Sequence, residues 1–124
     1  MTLEELKRLA EQGDTEAMIE ISDRVYDKDS YEKIAEATSW DLRAAEAGSL
    51  AGIMRSITGC TLLAVINLLP NIKDWKEALL YSQQTLRWCD VALKEVRLDQ
   101  DDLKMVTDSR NDCQYYCIQI NMYI

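Results

Sequence analysis

The chain has 124 residues, enough for one core, and 48% of them are apolar, which argues against disorder. Its net charge of −8 sets it against nucleic-acid backbones and anionic membrane surfaces. It contains no histidine, which removes the commonest general base, the Ser-His triads and every His-containing metal site.

One Pro and four Gly favour long helices joined by short turns, so the expected class is all-α. Thr2 and Glu5 have the spacing of a capping box, and the first helix follows to about Gln12 with Leu3, Leu6, Leu9 and Ala10 on one face. Gly13 ends it, because glycine takes the left-handed conformation without a Cβ penalty. Asp14 caps a second helix whose inward stripe is Ala17, Met18, Ile21 and Val25. Residues 27–30 form a polar turn, and Ser30 caps a third helix over 31–47. The expected inward stripe there is Tyr31, Ala35, Thr38, Leu42 and Ala45.

Gly48 and Ser49 repeat the stop-and-cap pair. Between Glu46 and Lys73 the only charged residue is Arg55, so a fourth helix over about 50–69 is expected to be buried nearly all round. The apolar run 57–69 within it is too short to span a bilayer. Gly59 lies inside this helix and suggests a kink or a close contact with a neighbour. Pro70 stops the run, and Asn71 or Asp74 starts a fifth helix over about 72–98, with Trp75, Leu79, Leu86, Val91, Leu93 and Val96 as its apolar content. An acidic cluster at Asp99, Asp101 and Asp102 suits the positive end of a sixth helix, which carries Leu103, Met105, Val106, Cys113, Tyr116, Cys117, Ile120 and Ile124.

Residues 8–17 align with 43–52, and Gly13 to Gly48 is the same step of 35 residues as Trp40 to Trp75. A period of this size marks stacked helical hairpins. At Gly13-Asp14, Ala17, Tyr26, Asp29, Ala37, Trp40, Ala44-Ala45-Glu46 and Gly48 the sequence resembles the Sel1-like repeat family, relatives of tetratricopeptide repeats. The resemblance covers residues 8–54 and fades beyond. It implies an α/α superhelix of antiparallel helix pairs that binds protein on a concave face. The expected organisation is one domain: a well-formed repeat over 13–48, a degenerate one over 49–98 and a C-terminal helix over 99–124. The degenerate repeat lacks the turn motif, having Leu79-Leu80-Tyr81-Ser82-Gln83 in its place. Solenoid ends are usually polar, and the apolar C-terminal segment either folds back across the core, meets another subunit or belongs to a longer protein.

The concave face implied by the resemblance belongs to the second and fourth helices. Its candidate protein-binding residues are Glu20, Asp23 and Arg24 on the second and Arg55 and Asn67 on the fourth. Trp88 is added because it falls outside the repeat motif and tryptophan is favoured at interface hot spots; Tyr26 and Tyr81 are weaker candidates. Residues 1–50 hold 13 acidic against 6 basic side chains, so a basic protein or peptide is the expected partner, alongside the plain reading of a solvated surface. The alternative is a small acidic inhibitor of the immunity type, or a homodimer joined through the C-terminal helix.

Cys60, Cys89, Cys113 and Cys117 supply only one close pair, short of the spacing of a structural zinc site; free core thiols or an inter-helix disulfide are the other readings. Neither Asp99, Asp101 and Asp102 nor Asp108 and Asp112 has the spacing of a calcium loop. The glycines are isolated, so no phosphate loop is expected, and no carboxylate pair stands out from surface charge. The expectation is a non-catalytic protein without cofactor or metal. The charged, amphipathic start of the chain is unlike a secretory signal, which makes the cytoplasm the default compartment.

Overall fold

The computed structural model describes residues 1–95 and 97–123, which form six helices and no strand. They are α1 (Leu3–Glu11), α2 (Thr15–Val25), α3 (Tyr31–Glu46), α4 (Leu50–Asn67), α5 (Trp75–Leu93) and α6 (Gln100–Tyr123). The all-α expectation holds. The chain divides into two compact units, Met1–Ser56 and Ile57–Ile124. The division falls inside the segment 49–98 that the sequence assigns to a single degenerate repeat.

In the first unit the caps act as the sequence predicts. Thr2 Oγ1 accepts from Glu5 N at 3.1 Å, Asp14 Oδ1 from Ala17 N at 3.1 Å, Ser30 Oγ from Lys33 N at 3.3 Å and Ser49 Oγ from Gly52 N at 3.0 Å. Each satisfies a backbone donor that a helix start leaves open. Gly13 and Gly48 have φ of 93° and 91°, the left-handed conformation that closes α1 and α3. Asp14→Ala is expected to cost about 1 kcal/mol. Urea denaturation of wild type and variant measures it; no loss would mean that the Asp14 cap is redundant.

α1 packs on α2 and α2 on α3. Leu6, Ala10, Ala17, Met18, Ile21 and Ala44 form the buried cluster, with Leu3, Leu9, Ile19, Val25 and Trp40 packed against it. The inward face of α3 differs from the expected one. Ile34, Ala37, Thr38, Asp41, Ala44 and Ala45 are buried, while Tyr31, Ala35 and Leu42 are only half-buried. A charged residue at the middle of the stripe disguises it; Asp41 lies inside because Arg55 pairs with it.

The start of α4 approaches α3 closely. A Cβ on Gly52 would lie 2.6 Å from Ala45 N and 2.8 Å from the Ala44 carbonyl carbon, inside any real contact distance. Gly52 is therefore a close-contact glycine of α4, a role the sequence reading did not assign to it.

In the second unit α5 packs on α6, and α4 reaches both through Thr61. The inward face of α5 is Ala78, Ser82, Thr85, Cys89 and Ala92, at helical spacing, with Trp88 beside it. The larger residues named from sequence are half-buried (Trp75, Leu79, Leu86) or exposed (Val91, Leu93); Val96 lies outside the described residues. Small side chains let α6 come close with Val106, Cys113 and Ile120, which recur every seven residues and are fully buried. Of the other α6 residues named from sequence, Leu103 is exposed, Met105, Tyr116 and Cys117 are half-buried, and Ile124 lies outside the described residues. α6 thus packs onto α5. Asp74, not Asn71, starts α5, its Oδ1 accepting from Glu77 N at 3.1 Å.

α4 spans 18 residues with a mean hydropathy of 1.5 and is long and apolar enough, by length and composition, to cross a membrane. This exceeds the shorter run marked in the sequence. Its share of buried residues is 44%, and the core helix of a globular protein meets the same description.

Candidate functional site

α2 carries three of the six residues named from sequence, Glu20, Asp23 and Arg24. Its inner side is fixed by Ala17, Met18 and Ile21, which leaves Glu16, Glu20 and Asp23 on the opposite side. Their spacing of four and three residues aligns them as one ridge. All three are exposed. Arg24 is exposed beside them; its Nε donates to Glu20 Oε1 at 3.0 Å and its Nη1 to the Met1 carbonyl at 2.6 Å. Tyr26, at the end of the helix, is 49% exposed.

Arg55, from the first turns of α4, closes the site. Its Nε donates to Asp41 Oδ1 at 2.9 Å and its Nη2 to Ser22 Oγ at 3.3 Å and to Asp23 Oδ1. One guanidinium therefore ties α2, α3 and α4 together in a planar fork suited to carboxylates. Asp41 is 6% exposed. Burial pushes its carboxyl above the ordinary aspartate range, and the Arg55 contact offsets only part of that. Arg55 itself is held above its ordinary value: its smaller loss of hydration is outweighed by hydrogen bonds to Asp41 and Asp23. Both values rise, which favours the charged form of Arg55 and disfavours that of Asp41, the more deeply buried end of the pair.

The six residues named from sequence separate into two groups. Glu20, Asp23, Arg24 and Arg55 come together in the first unit. Asn67 and Trp88 are each 4% exposed and are corrected as contact residues, since neither offers surface to a partner. Asn67 Nδ2 donates to the Leu63 carbonyl at 2.9 Å within its own helix. Trp88 is covered by the Arg87 guanidinium, 4.5 Å from the ring centroid, and its Nε1 has no hydrogen-bond partner among the described residues. Of the weaker candidates, Tyr81 is half-buried. Two residues escape the sequence reading. Glu16 was findable, lying four residues before Glu20. Asp41 had no such signal, since its partner is 14 residues away.

The cysteines are free thiols, with Cys60, Cys89 and Cys113 buried and Cys117 half-buried. Burial pushes Cys89 up to about 12, and its Sγ donates to the Val106 carbonyl at 3.5 Å. Cys113 and Cys117 are raised by burial as well. All three stay protonated at neutral pH, which makes them poor nucleophiles. Among the described residues no three of the Cys, Asp and Glu side chains converge as metal ligands. Comparison of the chain with protein-family models, curated proteins and solved structures gives no match.

Proposed function

We propose that the protein is a non-catalytic protein-binding module, a short Sel1-like solenoid that engages a basic protein or peptide along α2 and the start of α4. The observation that carries the reading is the exposed ridge Glu16–Glu20–Asp23, with Tyr26 at its end as an aromatic anchor. Ridge carboxylates steer a cationic partner and set its register. Arg55 gives the ridge a fixed backing by holding Asp23 in place.

The test substitutes Glu16→Lys and Glu20→Lys together. Asp23 is left alone, because a lysine there would face Arg55 and disturb the fold. A lysine- and arginine-rich synthetic peptide is titrated calorimetrically at low and at physiological salt. The double variant should bind at least about tenfold more weakly at low salt, with a melting temperature within about 2 °C of wild type. Equal affinity for both proteins would remove α2 as the binding face.

A further inference from the structure

α6 presents a second exposed face, whose two halves differ in chemistry. Its inward residues, Val106, Cys113 and Ile120, fix which side points out. Over the first half, a shallow groove is lined by Asp101, Lys104, Met105, Asp108, Ser109 and Asp112. The cations are engaged: Lys104 Nζ pairs with Asp108 at 3.0 Å, and Arg110 Nε with Asp90 at 3.4 Å. The groove is therefore net acidic. Over the second half, Tyr115, Ile118 and Met122 stand three and four residues apart and are 60%, 61% and 72% exposed. Exposed large apolar residues aligned on one helix face differ from the scattered ones any surface carries.

We propose that this face of α6 docks an amphipathic helix of a partner, with basic residues at one end to meet Asp101, Asp108 and Asp112 and apolar residues at the other to cover Tyr115, Ile118 and Met122. Charge complementarity selects this occupant. A second copy of the chain does not satisfy the face: parallel, it sets aspartate against aspartate; antiparallel about Ile118, it leaves both acidic halves unmatched. The three apolar side chains also fall short of the roughly 800 Å² that each partner gives to a stable interface, so the acidic half must contribute. An anionic membrane would be repelled by that same half. Docking through i, i+3 and i+7 positions is the ordinary way one helix reads another. The inference does not rest on the α2 reading.

The experiment uses the full chain and a synthetic helical peptide with lysines along one half and leucines spaced three and four apart along the other. A twin peptide replaces each lysine by glutamate. Binding is followed by anisotropy and by chemical-shift changes in NMR spectra. The lysine peptide should bind with shifts centred on α6, and the twin at least about tenfold more weakly. Ile118→Asp and the pair Asp108→Lys with Asp112→Lys should each cost at least about tenfold, while the Glu16→Lys, Glu20→Lys protein binds as wild type. Ile118→Ser serves as the milder variant if Ile118→Asp alters the circular dichroism spectrum. The proposal fails if α6 does not shift, if the two peptides bind alike or if Ile118 variants bind normally. It is also overturned by a sedimenting dimer, or by vesicle binding, that Ile118→Asp abolishes; the first outcome gives the stripe to a second copy and the second gives it to a membrane.

Discussion

Gly52→Ala is expected to destabilise the protein by about 3 kcal/mol, through a single added methyl group. The methyl carbon would sit 2.6 Å from Ala45 N and 2.8 Å from the Ala44 Cβ and carbonyl carbon. Two of these atoms are backbone, so no rotamer change can make room; α3 and the start of α4 must separate. That separation also lengthens the Arg55–Asp41 contact, which bridges the same two helices. Gly13→Ala is the informative control. Gly13 has φ of 93° and nothing within 4 Å of an added Cβ, so its cost is backbone conformation alone, about 1–2 kcal/mol. Urea denaturation followed by circular dichroism compares the two. If Gly52→Ala loses no more than Gly13→Ala, the close approach does not limit stability.

Arg55→Met should cost about 3 kcal/mol at pH 7, because it strands the buried Asp41 carboxylate without its cation. Asp41→Asn should cost far less than this. It keeps an acceptor for Arg55, leaves Arg55 paired with Asp23 and removes a charge that burial disfavours. The pH dependence separates the two variants further. Asp41's carboxyl is raised in the folded protein, so between its unfolded and folded values the native state binds the proton more tightly. Its contribution to stability is therefore present below about pH 4 and is lost as pH rises through the folded value. Removing Arg55 raises the folded value again and widens that window. The deficit of Arg55→Met should accordingly shrink as pH falls from about 7 towards 4, and Asp41→Asn should show a flatter profile than wild type. Parallel profiles for Arg55→Met and wild type would rule out Asp41 as the stranded charge.

The termini of α1 to α3 and the start of α4 were legible because their chemistry is local. Thr2, Asp14, Ser30 and Ser49 each cap a donor three residues away, and Gly13 and Gly48 need only their own φ. The inward faces of α3 and α5 were not, because packing there departs from bulk hydrophobicity. Asp41 enters the core through a partner distant in sequence, and Ser82 and Thr85 are buried on α5 while Leu80 is 50% exposed. Close approach selects side chains by size, and a hydropathy pattern does not register size. The same blindness passed over Gly52. Within the candidate site the exposed acidic ridge could be read from the spacing of Glu20 and Asp23. The burial of Asn67 could not, since asparagine is mostly a surface residue, and tryptophan suits a core as well as an interface.

Three of the helix pairs that pack, α1 with α2, α2 with α3 and α5 with α6, are neighbours along the chain. Each contact therefore closes only a short loop, and the entropy lost before it forms is small. Contacts of such short sequence separation favour fast formation of a helical hairpin. Each hairpin can then form soon after its second helix leaves the ribosome, without waiting for the rest of the chain. A lesion such as Gly52→Ala would act late in that sequence, after α1–α3 have already met.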